Sequence, residues 1–198
     1  MSLMEQLTKV VASQIAGQAA QKTGMSEGLA ASMMPMAMAA LMNGLKKNAS
    51  SAEGAQSLAN ALERHDGGLL ENAAQFGSES TMADGAKILG HILGGKQSQT
   101  EMALAKTAGV EQSQMSQLMA MAAPAVLASL GKAKREQGLN ANALAGLLKQ
   151  EGANAQQAAP NEMGPLMQFL DQDGDGDFKD DLMEAAGKKI LGGFFGRK

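Results

Sequence analysis

An all-α fold follows from three features of the chain. Of 198 residues 44% are apolar but only 3% aromatic, with no Trp and no Tyr, while Met reaches 16. A core drawn from Ala, Leu and Met is drawn from good helix formers, and this apolar content is enough to bury one. Apolar residues then recur at the spacing of a single helix face in one segment after another. Finally, the chain resembles itself when displaced along its own length, as helical bodies built twice would.

The first helix is marked by Leu3, Leu7, Val10, Val11 and Ile15 on one face, with Ser2 as a candidate cap, and should run to about Lys22. After the turn "KTGMSEG", a second helix places Met34, Met38, Leu41, Met42 and Leu45 in one stripe, with Pro35 marking its start or a kink. The third opens with Ser50 and Glu53 in capping-box spacing and closes at "ERHDGG". Residues 67–84, rich in Gly, Ser and Glu, read as a loop-rich connection with room for one short helix, after which "DGAKILGHILGGK" begins another helix.

A shift of 85 residues lays "TGMSEGLAASMMPMAMAALMNGLKK" over "AGVEQSQMSQLMAMAAPAVLASLGK" without a gap. Gly24, Met34, Met36, Ala37, Ala40, Leu45 and Lys47 fall on Gly109, Met119, Met121, Ala122, Ala125, Leu130 and Lys132. With one added residue, "SLANALE" meets "ALAGLLK", and "AKILGHILGGK" returns near the end as "KKILGGFFGRK". The expected organisation is a first helical body at 1–66, the connection at 67–84, a second related body at 85–152, and a loop with a C-terminal amphipathic helix at 160–198.

The stretches "EGAQSLANALERHDG", "DGAKILGHILGGK" and "TAGVEQSQMSQLMAMAAPAVLASLG" resemble the YidB-like family of bacterial domains of unknown function, number 937. The resemblance covers about Leu7 to Glu151, and the aspartate loop with its "LGGFFGRK" ending is similar to the tail that many members carry. It implies an all-helical, homeodomain-like fold and no established activity.

The stretch "FLDQDGDGDFKDDL" carries the one pattern with metal chemistry in it. An EF-hand loop takes ligands from positions 1, 3, 5, 7, 9 and 12, turns at a Gly in position 6, and coordinates calcium with six to eight oxygens. Counting from Asp171, Asp173 stands at position 3, Asp175 at 5, Gly176 at 6 and the Asp177 carbonyl at 7, with Phe178 to pin the loop. Position 12 departs from the pattern, because Leu182 stands where a bidentate Glu is expected. Asp181, one residue earlier, can close the cage instead. Lys179 at position 9 cannot ligate, although that position often works through water. Carboxylates about 4 Å apart repel by roughly 1 kcal/mol per pair even in water, so a cation among them relieves a real cost. The simpler alternative is a solvated acidic linker. Ca²⁺ is the expected ion, held by Asp171, Asp173, Asp175, Asp177 and Asp181 at an affinity of roughly 10⁻⁵ to 10⁻³ M.

The remaining chemistry is sparse. His65 and His91, the only imidazoles, stand in no Ser-His-Asp or two-His metal spacing. His65 is expected at a helix end, where its cationic form would suit the dipole, and His91 on an exposed face. No acid–base pair and no phosphate-cradling glycine loop stands out, so a non-catalytic interaction or assembly protein is the expectation. The Met stripe reads first as core filler and second as an adaptable groove. A net charge of -3 argues against phosphate backbones. The alternative function, a homeodomain-like nucleic-acid binder, would use Lys132, Lys134 and Arg135. A protein partner or self-association is expected. The basic, amphipathic "KKILGGFFGRK" suits docking onto the bundle or, second, a membrane surface. Zero Cys excludes disulfides and thiolate sites. With neither a signal sequence nor a window of about 18 apolar residues in view, a cytoplasmic location is the default, export without a cleaved signal staying open.

Overall fold

In the computed structural model, the described residues are 15–65 and 67–158. They form helices joined by short turns and contain no strand. The chain divides into two units, Met1–Gln157 and Ala158–Lys198. Within the first, α1 is described over 15–23. It is followed by α2 (Glu27–Asn48), α3 (Ala52–Ala61), α4 (Glu79–Leu93), α5 (Gln97–Ala108), α6 (Gln112–Gln137) and α7 (Ala141–Ala158).

The turn chemistry explains most boundaries. Ser26 caps α2 by accepting from the Leu29 amide at 3.3 Å, and the helix runs through Pro35, which neither starts it nor ends it. The cap of α3 is Ser51, whose hydroxyl accepts from Gly54 N at 3.0 Å; the expected cap, Ser50, instead donates back to the Lys47 carbonyl. The longer correction concerns α4. Ser78 caps it by accepting from Thr81 N, so the helix opens at Glu79, inside the segment expected to be loop. The connection before it holds 3₁₀ turns at Leu62–Arg64, Gly68–Glu71 and Ala73–Gln75, with Phe76 packed into the core. At α6, Glu111 and Gln114 form a reciprocal capping box, and Gly138 in the left-handed region ends the helix.

The repeat is visible in these boundaries. Displaced by 85 residues, Glu27 meets Gln112, the first residues of α2 and α6; Thr23 meets Ala108, the last residues of α1 and α5. The intervening Gly24 and Gly109 both have positive φ, 72° and 66°. Equivalent side chains take equivalent places: Met34 and Met119, Met36 and Met121, Leu45 and Leu130 are all buried. So are Leu58 of α3 and Leu144 of α7. The two related segments nevertheless share one core inside a single unit, and residues 67–84 do not separate two units. α6 lies at its centre, packing most extensively on α4, then α2 and α5, and on the turns at 62–64 and 68–71. Its residues from Leu118 to Gly131 are buried without a break, which leaves no polar face along that stretch.

Two glycines permit this packing. A Cβ on Gly85 would collide with the Ala120 carbonyl oxygen, and one on Gly131 with that of His65. α4 and the 62–65 turn therefore lie with their backbones against α6, closer than any side chain allows.

Seven methionines of α2 and α6 are core filler: Met34, Met36, Met38, Met42, Met115, Met119 and Met121 are each at most 3% exposed. Contrary to the expectation from sequence, α2 is long and apolar enough by composition to cross a membrane, with a mean hydropathy of 1.3 over its best window. Ala and Met raise that average, and 56% of the window is buried inside the protein.

Candidate functional site

The expected metal ligands Asp171, Asp173, Asp175, Asp177 and Asp181, and the C-terminal amphipathic segment, lie outside the described residues. Among the described residues no group of three or more His, Asp or Glu side chains is placed to hold a metal.

The basic cluster is committed to internal pairs. Lys134 Nζ lies 3.4 Å from Glu63 Oε1, tying α6 to the turn after α3, and Lys132 pairs with Glu136 at 4.0 Å along the helix. A cavity of about 360 Å³ lies beside Lys134 and Arg135, floored by Leu62 and Leu139. Each pair reduces the charge that could meet a phosphate.

A larger cavity, about 560 Å³, was not legible in the sequence. It opens between α3 and α4. One wall is the face of α3 bearing Gly54, Ser57, Leu58 and Ala61, positions i, i+3, i+4 and i+7. The other is the face of α4 bearing Ile88, His91 and Ile92. Leu45 and Leu127 form the floor, and Asn48, Arg64 and His65 complete the rim. The Asn48 amide donates to the carbonyls of His91 and Ile92, each at 3.1 Å, and so occupies acceptors at the end of α4 that the helix itself leaves open. This anchors one wall of the cleft to α2. Close approach of α2 to α4 at the same end rests on Gly44, whose absent Cβ would stand 2.6 Å from Ile92 Cγ2.

Both histidines meet at this cleft, though 26 positions apart in sequence. His91 is exposed, as expected. His65 is only half-exposed, and burial lowers its pKa below the usual 6.5; Asp84 opposes that shift and Arg64 reinforces it. Its neutral form is thus favoured, where the sequence suggested a cationic helix end. A shared cavity assembled from four helices and a turn leaves no signature in local spacing.

A second polar arrangement is built around a buried carboxylate. Glu101, 5% exposed on α5, accepts at Oε1 from Gln97 at 2.8 Å and from Ser116 at 3.1 Å, and at Oε2 from Gln112 at 3.5 Å. Gln112 also donates to Ser98. The carboxylate clasps α5 to the first turn of α6, and its donors are all neutral.

No curated protein and no solved structure matches the chain. Residues 5–133 match the family model described as a bacterial protein of unknown function, DUF937. That match takes in every helix from α2 to α5 and nearly all of α6, including both walls of the cleft. The chain belongs to the DUF937 family.

Proposed function

We propose that this protein is a non-catalytic helical interaction or assembly module in which Ca²⁺ bound at Asp171, Asp173, Asp175, the Asp177 carbonyl and Asp181 orders the C-terminal helix. The alternating aspartates around Gly176 carry the reading, since that spacing on a turning backbone converges oxygens on one centre. The loop immediately precedes Ile190, Leu191, Phe194 and Phe195. Folding it around an ion would fix the direction in which those apolar side chains are presented. Among the described residues the buried Glu101 carboxylate is engaged in a clasp between α5 and α6, in keeping with a structural part for it.

Calorimetric titration should find about one calcium site in the wild type and none after Asp173→Asn with Asp175→Asn. Light scattering of the same samples should show a calcium-dependent change of mass in the wild type alone. An absence of binding heat, or a mass indifferent to calcium, would count against the reading. A nucleic-acid interface at Lys132, Lys134 and Arg135 has less support, given the pairs that Lys132 and Lys134 make with Glu136 and Glu63.

A further inference from the structure

We infer that the cleft between α3 and α4 is a binding site for a single-chain fatty carboxylate. The size, lining and charge of the cleft point the same way. Its volume of about 560 Å³ falls within the roughly 300–1,000 Å³ of small-molecule sites. Five of its apolar lining residues, Leu45, Leu58, Ile88, Ile92 and Leu127, are each at most 8% exposed. An alkyl chain, one methylene wide, is a ligand slender enough to lie against side chains so little exposed. Each methylene that leaves water for this floor contributes about 0.8 kcal/mol, the usual driving force for acyl chains.

The rim supplies the polarity for a negative head group. Among the described residues, the charged and titratable groups lining the cleft are Arg64, His65 and His91; Asp84, close enough to act on His65, stands outside the lining. Arg64 has no carboxylate partner among the described residues. A planar guanidinium at the mouth of an apolar slot matches a carboxylate through two parallel hydrogen bonds. The exposed Ser57 hydroxyl and the imidazole of His91 add hydrogen-bonding partners along the same rim. This site uses no residue of the aspartate loop and goes beyond the calcium reading.

The test is a titration of the full chain with decanoate, decanol and decyltrimethylammonium, followed by amide NMR and calorimetry. Decanoate should bind saturably, about tenfold more tightly than decanol, and the ammonium compound weakest of all. Shifts should concentrate in α3 and α4. Arg64→Gln should remove the tenfold preference while leaving decanol binding unchanged. Ser57→Phe, which fills the cleft from an exposed position and should melt like the wild type, should abolish binding of both. The Asp173→Asn, Asp175→Asn variant should bind decanoate as the wild type does, which separates this site from the calcium loop. Non-saturable decanoate binding, binding unchanged in both Arg64→Gln and Ser57→Phe, or equal affinity for the cationic amphiphile would overturn the assignment. So would occupation of the cleft by an amphipathic helical peptide with no binding of decanoate.

Discussion

Gly85 and Gly146 show how one residue type plays opposite parts in the same protein. At Gly85 the α4 backbone rests against the Ala120 carbonyl, so Gly85→Ala must push the helices apart and should cost roughly 3 kcal/mol. Gly146, an exposed position of α7, has nothing within 4 Å of where a Cβ would sit. There Gly146→Ala should stabilise by about 0.5–1 kcal/mol, through the lower backbone entropy it gives the unfolded chain. Urea unfolding of the two variants would check both signs, and equal effects would refute the contact at Gly85. Sequence alone could not separate these glycines, because each stands inside a helical pattern and only the neighbour across the interface distinguishes them. The aspartates at 171–181 are the contrary case: a local pattern that states its own chemistry without any partner helix.

Among the elements, α5 is the one held by polar contacts as much as by apolar ones. Its buried face comprises Thr100, Glu101, Leu104 and Ala105, and Glu101 receives donors from α5 and α6 alike. Glu101→Ala would leave Ser116 and the Gln97 and Gln112 amides short of an acceptor in a partly buried setting, and should cost about 1–3 kcal/mol. Thermal melting would measure the loss. Hydrogen exchange would locate it, with protection falling first in α5 and the opening turn of α6; an unchanged pattern there would exclude the clasp. Helix type was legible throughout, since Ala, Leu and Met leave few alternatives. Boundaries were legible only where a cap and a composition change coincide. Ser78 lies in a Gly- and Ser-rich stretch and so hid the start of α4, whereas the Gly24 and Gly109 turns announced themselves through the repeat.

At the scale of the whole molecule, the repeat predicts two bodies and the structure shows one core. α6, buried without a break from Leu118 to Gly131, serves both halves, with α2 against it as well as α4 and α5. Calorimetric melting of Met1–Gln157 as part of the full chain should therefore give one transition with equal van't Hoff and calorimetric enthalpies, and two resolved transitions would show that the halves are independent. Self-similarity in sequence reveals duplication, but whether the copies close separately or together depends on which faces are covered, and in α6 every face from Leu118 to Gly131 is. That helix also comes late in the chain. During synthesis, at roughly 5–20 residues per second, α2 leaves the ribosome seconds before its partner exists, bearing a stretch apolar enough to be mistaken for a membrane span. The nascent protein must keep that stretch from aggregating or from entering a bilayer until translation supplies the helix that covers it.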